Sequence, residues 1–242
     1  MSEMVGRYVY LSQLSAYADW PDQPVTEDSP LREATTKAEG DVRAVARGRW
    51  AILRLGQVLD PFDVDGDLGW WLVRIAGGGQ VLAPGAPDRP LCPVDVRDVA
   101  AFVCDQALVG HRRSVFNVVA PARHTTTGAL LDACRTVTGS DATWRWVPDE
   151  ALREAGVVPS SGLPLWHPSA AAWQVDSHRA EQAGLTCRPT VHSVTDAWRQ
   201  LTDGRAAVPA HFREAMARSR ISTGRAAELI QAHAAGGPVL RP

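Results

Sequence analysis

WAILRLGQVL, residues 50–59, is the stretch of sequence that decides the fold. It is an apolar run bounded by polar segments, which is typical of a buried strand. YVYLS at residues 8–12 is a second run of this kind. Between the two runs, Ser29 and Pro30 give a start signal for a helix that reaches about Arg47. The order strand, helix, strand favours parallel pairing of the two strands.

Strand and helix patterns continue to alternate toward the C-terminus. They predict a short helix around WWLVRIAGGG (70–79), an edge strand QVLAPG (80–85), a helix VAAFVCDQAL (99–108) capped by Asp98, a strand SVFNVV (114–119), and a helix that threonines 125–127 cap. In the last helix one face carries the apolar residues Leu130, Leu131, Cys134 and Val137. This alternation predicts an α/β protein.

The C-terminal third has a different composition. Residues 141–200 are richer in Trp, Pro and short loops, which indicates a smaller lobe. We expect one α/β domain over residues 1–203, with 141–200 mainly forming the lobe. A helical tail over residues 204–242 would carry helices around HFREAMARS and GRAAELIQAHAA.

Composition excludes several classes of function. The chain has 242 residues, 45% of them hydrophobic, which is enough apolar material for a sizeable core. Its 25 basic and 27 acidic residues nearly cancel, so no one-sided positive field favours nucleic acid or an anionic membrane surface. No window approaches the roughly 20 apolar residues of a membrane span, and the N-terminus is not a signal peptide. We expect a cytoplasmic protein that binds neither nucleic acid nor a membrane.

The four cysteines, Cys92, Cys104, Cys134 and Cys187, show no metal-ligand or redox spacing. Cys104 and Cys134 fall in apolar helical patterns, so we expect both to be buried reduced thiols. The aspartates at 63, 65 and 67 do not complete a calcium loop, because Arg74 stands where a glutamate belongs. We therefore interpret this segment as a solvated turn.

Five segments, in this order, resemble the extended short-chain dehydrogenase/reductase family. They are RYVYLSQLSAY (7–17), TTKAEGDVRA (35–44), RLGQVLDP (54–61), APDRPLCPVDVRDVAAFV (86–103) and SVFNVVAP (114–121). The resemblance is to the nucleotide-sugar epimerase, dehydratase and isoflavone-reductase-like branch, and to its C-terminal two-thirds only. It implies a partial Rossmann-like parallel sheet that lacks the N-terminal dinucleotide-binding strands, with a smaller C-terminal substrate-type lobe.

Members of this family bind NAD(P) through a strand and a glycine-rich turn that holds the pyrophosphate at a helix N-terminus. The glycines at 77–79 follow a helical pattern, so we interpret them as a helix-ending turn. Roughly four strand–helix units would be expected before Arg7. We therefore expect no cofactor for this chain alone, and NAD(P) binding only if the missing half is supplied.

The family's catalytic residues are a tyrosine, a lysine four residues later, and a serine or threonine. Lys37 matches the lysine, but Glu33 stands at the tyrosine position and Gln13 at the serine position. A carboxylate with a reference pKa of about 4.3 is ionised beside a cation, which argues against hydride transfer. Glu33 and Lys37 could instead be a surface pair at i, i+4. Tyr17 could donate from the same turn, or be a partly buried aromatic with a hydrated hydroxyl.

Three further residues are candidates for substrate binding. Arg89 lies in a segment where the family often contacts anionic or polar substrate groups, Trp70 could line an apolar pocket, and Ser15 lies in the turn after the first strand. The alternatives are a loop cap for Arg89, a core residue for Trp70 and an ordinary turn hydroxyl for Ser15.

Three functions remain open. The first is an epimerase-, dehydratase- or reductase-like protein that cannot bind NAD(P) alone. The second is a non-catalytic ligand-binding or interaction protein, and the third is a cofactor-independent enzyme using Glu33 or Tyr17. Loss of the upstream strands would expose an edge of the YVYLS strand, so we expect a homo-oligomer or a partner chain to cover it, and a small-molecule ligand.

Overall fold

The structure is a computed structural model that describes residues 6–61, 66–108, 113–203, 214 and 220–234. Its strands are β1 (Tyr8–Gln13), β2 (Trp50–Leu55), β3 (Val58–Leu59), β4 (Gln80–Pro84), β5 (Pro90–Leu91), β6 (Val94–Asp95), β7 (Arg113–Val118), β8 (Thr125–Thr126) and β9 (Thr143–Val147). Its helices are α1 (Glu33–Val45), α2 (Asp67–Ala76), α3 (Val96–Leu108), α4 (Thr127–Thr138), α5 (Asp149–Glu154), α6 (His178–Gln182), α7 (Thr190–Thr202) and α8 (Thr223–Ala234). The α/β class is confirmed.

A three-stranded parallel sheet forms the first of two compact units, which comprises Met1–Val58, Leu91–His124 and Ser169–Arg188. The strand order is β1-β2-β7, with Tyr8 aligned with Trp50 and Trp50 with Arg113. The central strand β2 is buried from residue 51 to residue 54. The predicted strands and their parallel pairing are therefore confirmed, and the sheet is Rossmann-like in part.

The sequence signal predicted a helix that begins at Pro30, but helix α1 begins three residues later, at Glu33. The backbone N–H of Ala18 donates to the carbonyl of Pro30, and the N–H of Arg32 donates to the carbonyl of Ala16. Because residues 30–32 pair with the turn that follows β1, they are extended, and the first helical residue is Glu33. The predicted start was wrong because this pairing partner is distant in sequence.

The run at 50–59 forms two strands, β2 and β3, instead of one, because Gly56 interrupts the regular strand. The N–H of Gly56 donates to the carbonyl of Val118, and a Cβ at position 56 would lie 2.4 Å from Val119 Cγ1. A glycine is therefore required at this close approach.

Asp98 does not cap α3 as predicted. Asp95 takes that role, because its Oδ1 accepts the backbone N–H of Arg97 at 2.8 Å. Asp98 lies inside the first turn, where its Oδ2 accepts the backbone N–H of Arg188 and its Oδ1 accepts Nε of the same residue, each at 2.8 Å.

The second compact unit comprises Leu59–Pro90, Thr125–Pro168 and Pro189–Pro242. In it α2, α4 and α7 pack together, and α8 packs on the parallel pair β4 and β9. Thr126 caps α4 by accepting the N–H of Ala129, and the predicted apolar face of α4 is buried at residues 130, 131 and 134. Helix α2 ends at Gly77, and Gly78 and Gly79 have φ of 67° and 69°. The predicted helix-ending turn is confirmed.

The predicted tail is described only in part. GRAAELIQAHAA forms α8, whereas HFREAMARS lies outside the described residues except for Glu214. The predicted domain boundary at 203/204 stays a prediction, as does a lobe confined to 141–200. Within the described residues, no helix is long and apolar enough to cross a membrane.

The four cysteines differ in environment. Cys134 is buried as predicted, but Cys104 is exposed, because it lies on the side of α3 opposite the buried Phe102. Burial raises the pKa of Cys92 and of Cys134 to about 12 each. Burial and the nearby charges of Asp98 and Glu181 raise the pKa of Cys187 to about 11.

We predict that a thiol reagent at pH 8 modifies one cysteine of the folded chain quickly and the other three slowly. The thiolate is the reactive form, and Cys104 is the exposed thiol. Counting modified thiols over time, in native buffer and in denaturant, checks this. Cys104→Ser should remove the fast phase. A second thiol that reacts as quickly would contradict the assignment.

Candidate functional site

A buried group of polar side chains lies at the centre of the first unit. We call it the Arg54 network, and it consists of Tyr17, Glu27, Glu39, Arg54 and Asn117. No member is more than 6% exposed. Buried charges destabilise a protein unless they are paired and hydrogen-bonded, so the contacts within this network decide whether the unit is stable.

Arg54 and Glu39 form a bidentate ion pair. Arg54 Nε donates to Glu39 Oε1 at 3.0 Å, and Arg54 Nη2 donates to Oε2 at 2.8 Å. Arg43, which is partly exposed, makes a second ion pair with Glu39 at 3.2 Å. Burial lowers the pKa of Arg54, but its hydrogen bonds with Glu39 and Tyr17 outweigh this effect, and the pKa is raised overall. Arg54 is therefore cationic at all ordinary pH values.

Tyr17 is fully buried, and protein groups satisfy its hydroxyl. The hydroxyl accepts a hydrogen bond from Arg54 Nη1 at 2.9 Å and donates to Asn117 Oδ1 at 2.5 Å. The expectation of a hydrated hydroxyl is therefore wrong. Burial raises the pKa of Tyr17 above its ordinary value, and the hydrogen bond and charge of Arg54 only partly offset this.

The remaining contacts tie a long loop to the sheet. Arg54 Nη1 donates to the carbonyl of Glu27 at 3.1 Å, and the backbone N–H of Asn117 donates to Glu27 Oε1 at 3.0 Å. Asn117 Nδ2 donates to the carbonyl of Asp176 at 3.0 Å. The Arg54 network thus joins the turn after β1, the loop before α1, α1 itself, β2 and β7.

The predicted residues Gln13, Ser15, Glu33 and Lys37 are all exposed. Gln13 ends β1, and Ser15 lies in the 3-10 turn Leu14–Ala16. Arg32 Nε donates to the carbonyl of Ser15 at 2.9 Å, which places the first turn of α1 beside that turn. Ligands of open parallel sheets bind at the carboxyl ends of the strands, and these side chains lie at that end.

No ion pair joins Glu33 to Lys37 in the part of the chain that the structure describes. Their side chains lie in solvent on the first two turns of α1, as surface residues do. Their catalytic roles, and those of Gln13 and Tyr17, stay predictions.

Arg89 belongs to a separate polar cluster in the second unit. Its Nη1 donates to the carbonyl of His167 at 2.6 Å, and its Nη2 pairs with Asp149, whose Oδ1 accepts Trp166 Nε1 at 2.8 Å. A Cβ at Gly85 would lie 2.8 Å from Asp149 Oδ1. The sequence analysis missed Asp149, although an acid in the first turn of α5 after Pro148 is a helix-start signal.

The two adjacent tryptophans differ. Trp71 is fully buried and its Nε1 donates to the carbonyl of Pro164 at 2.9 Å, so it is a core residue. Trp70 is half-buried and packs edge-to-face on Trp71, with ring centroids 4.9 Å apart. Its role in substrate binding stays a prediction.

Among the described residues, no group of acidic, histidine and cysteine side chains could hold a metal ion. Asp67 is buried and paired with Arg220, so the solvated-turn interpretation is wrong for this residue, and residues 63 and 65 lie outside the described residues. Within the described ranges no strand leads through a glycine-rich turn into a helix. The described residues therefore include no turn of the kind that holds the pyrophosphate of NAD(P) in a Rossmann fold.

No protein-family model matches the chain, and no curated protein does. Solved structures do match. The UDP-glucose 4-epimerase of Thermotoga maritima, in complex with UDP-glucose, has a TM-score of 0.58 at 17% identity. The match covers 83% of this chain and 64% of that one.

The fold is similar to part of the fold of UDP-sugar 4-epimerases. The UDP-Glc/GlcNAc 4-epimerase of Campylobacter jejuni has a TM-score of 0.59 at 16% identity, over 82% of this chain and 65% of that one. MoeE5 in complex with UDP-glucose and NAD has a TM-score of 0.58 at 18% identity, over 84% of this chain and 67% of that one. The resemblance to the epimerase branch is thus confirmed for the fold, and the likeness to isoflavone reductases stays a prediction.

We predict that Arg54→Met destabilises the chain by about 3 to 5 kcal/mol, because Glu39 would keep a buried charge without its main partner. Arg43→Met is the matched control: it removes the partly exposed partner of the same carboxylate and should cost about 1 kcal/mol or less. Urea denaturation measures both. The double variant Arg54→Met/Glu39→Leu should recover much of the loss, and equal losses for the two single variants would contradict the account.

We also predict that Tyr17 makes the chain sensitive to alkali. Its folded-state pKa lies above the unfolded value of about 10, so the unfolded chain loses this proton first. The free energy of unfolding should therefore fall as pH rises above about 10. Tyr17→Phe should cost about 1 to 3 kcal/mol at pH 8, because Arg54 and Asn117 lose a partner, and should show a shallower fall. Urea titrations from pH 8 to 11 test this, and an unchanged slope in the variant would refute it.

Proposed function

We propose that this chain is an NAD(P)-dependent epimerase/dehydratase-like protein that binds a nucleotide sugar but does not transfer hydride by itself. The observation that carries the proposal is the exposed carboxylate of Glu33 on the first turn of α1, one turn before Lys37. The family that the sequence resembles has a tyrosine at this position.

The side chains at the carboxyl end of β1 are poorly suited to exchange protons with a sugar hydroxyl. Glu33 offers an exposed carboxylate in place of the phenol that the family uses to exchange a proton with its substrate. The amide of Gln13 can hydrogen-bond a substrate oxygen but cannot act as a general base. Tyr17 lies nearby in sequence, yet its hydroxyl is held by Arg54 and Asn117.

Arg89 supports the choice of ligand. Its guanidinium is largely buried and is held by His167 and Asp149, so it is already oriented. A planar guanidinium suits a phosphate group, which would compete with the Asp149 carboxylate for the same donors. Solved structures with this fold are described in complex with UDP-glucose, which makes a UDP-sugar the first ligand to test.

NAD(P) would require further strands, from this polypeptide or another. The three parallel strands of the first unit carry a polar carboxyl end but no phosphate-binding turn among the described residues. The cofactor would supply hydride transfer where such strands were present. A cofactor-independent enzyme is less favoured, because it would need a closed pocket holding both Glu33 and Tyr17, and one is exposed while the other is fully buried.

Calorimetry on the purified 242-residue chain tests the proposal, with NADH, NADPH and UDP-glucose as separate titrants and light scattering on the same sample. We expect no binding of NADH or NADPH tighter than about 1 mM. UDP-glucose should bind, and Arg89→Met should weaken it at least about tenfold, or about 1.4 kcal/mol. The control Arg145→Met removes an exposed arginine of the same unit and should leave binding unchanged.

Tight NADH binding by a monomer would overturn the proposal. Absence of UDP-glucose binding by a folded chain would leave the non-catalytic interaction protein as the better account.

A further inference from the structure

The ion pair of Arg89 and Asp149 is partly open to solvent. The two side chains are 14% and 23% exposed, and Arg89 Nη2 donates to Asp149 Oδ2. Arg89 Nη1 donates to the carbonyl of His167 at 2.6 Å, whereas Nε makes no hydrogen bond with any described residue. One edge of the guanidinium fork, formed by Nε and Nη2, is therefore held by a single carboxylate oxygen.

Two further neighbours hold the Asp149 carboxylate on this guanidinium. Its Oδ1 accepts the indole N–H of Trp166 at 2.8 Å. Gly85 packs so closely against the pair that a Cβ at this position would lie 2.8 Å from Asp149 Oδ1 and 3.3 Å from Arg89 Cζ. Gly85 has a φ of 69°, which glycine adopts without strain. The carboxylate is therefore oriented toward Arg89 before any ligand arrives.

A phosphate group fits the same edge of Arg89. An arginine fork binds phosphate through two parallel N–H···O hydrogen bonds, as it binds a carboxylate. A phosphate that accepted from Nε and Nη2 would replace Asp149 Oδ2 and leave the hydrogen bond from Nη1 to His167 in place. Asp149 opposes such a ligand in two ways, because it occupies Nη2 and because its charge repels a second anion.

We propose that Asp149 holds the place of a ligand phosphate on Arg89, and that ligands bind here by displacing it. This inference rests on the proposed function, because it takes Arg89 as the residue that binds phosphate. A carboxylate of the same chain has a high effective concentration, so a free carboxylate gains no contact by replacing it. A diphosphate carries more charge and more acceptor oxygens, which favours the exchange. Asp149 therefore weakens phosphate binding and excludes carboxylate ligands from Arg89.

Calorimetry on the full chain, with UDP-glucose, UDP and uridine as separate titrants, tests this inference. Asp149→Asn keeps an oxygen that accepts the indole N–H of Trp166 but removes the charge that holds Arg89 Nη2. UDP-glucose and UDP should therefore bind the variant at least about tenfold more tightly than the wild type. Uridine has no phosphate and should bind the two proteins equally. In an Arg89→Met background, Asp149→Asn should have no effect on binding.

Asp132 provides a matched control in the same unit. It pairs with Arg135 at 2.8 Å and accepts the indole N–H of Trp144 at 3.0 Å, so it makes the same two kinds of contact as Asp149. Its side chain is 53% exposed, however, and the pair lies at the surface. Asp132→Asn removes an equal charge and should leave the affinity for UDP-glucose unchanged.

The indole N–H signals of the wild-type chain, observed by NMR, give a second test that holds even if Asp149→Asn fails to fold. The signal of Trp166 reports on Asp149, and that of Trp144 reports on Asp132. Saturating UDP should shift the Trp166 signal, assigned with Trp166→Phe, because Asp149 leaves Arg89. The Trp144 signal should stay in place.

The outcomes distinguish this inference from the proposed function. Three results would overturn the inference alone: wild-type binding of UDP-glucose with no gain in Asp149→Asn, an equal gain in Asp132→Asn, or binding of UDP that leaves the Trp166 signal unmoved. Binding of UDP-glucose by Asp149→Asn but not by the wild type would support the inference and overturn the proposed function. Binding by neither protein would overturn both.

Discussion

The burial of Arg54 is the constraint on which the first unit depends. A guanidinium in the core is tolerated only when its donors are satisfied, and here Glu39, Tyr17 and the carbonyl of Glu27 accept them. These acceptors come from a helix, a turn and a loop. Satisfying one charge therefore fixes the relative positions of all three against the sheet.

The Arg54 network lies in the interior of the first unit, whereas polar residues close to it in the sequence are exposed at the surface. Tyr17 belongs to the interior, whereas Ser15 and Glu33 lie at the surface a short distance along the chain. The turn that carries Ser15 is held by Tyr17 on one side and by Arg32 on the other, so its exposed groups are oriented without a ligand. This arrangement suits binding, because preorganised groups lose little entropy when a ligand arrives.

Apolar patterning predicted the elements of this fold well, because it depends on near neighbours. A buried strand beginning at Trp50, the apolar face of α4 and the glycine turn at 77–79 were all predicted from local sequence, although the strand ends at Leu55 instead of Leu59. The errors arose from partners distant in sequence. Tyr17 and Asn117 are 100 residues apart, and Asp98 and Arg188 are 90 apart, so no local pattern reveals either contact. The candidate site residues and their chemical roles remain predictions.

The exchange rate of the Arg54 Nε proton, measured by NMR on the folded chain, tests the account most directly. Held against Glu39 in the core, this proton should give a resolved signal at neutral pH that exchanges with water much more slowly than the Nε proton of the exposed Arg32. The signal should be absent from Arg54→Lys. Equal exchange rates for the two protons would mean that Arg54 is hydrated, and would contradict the claim that its burial organises the unit.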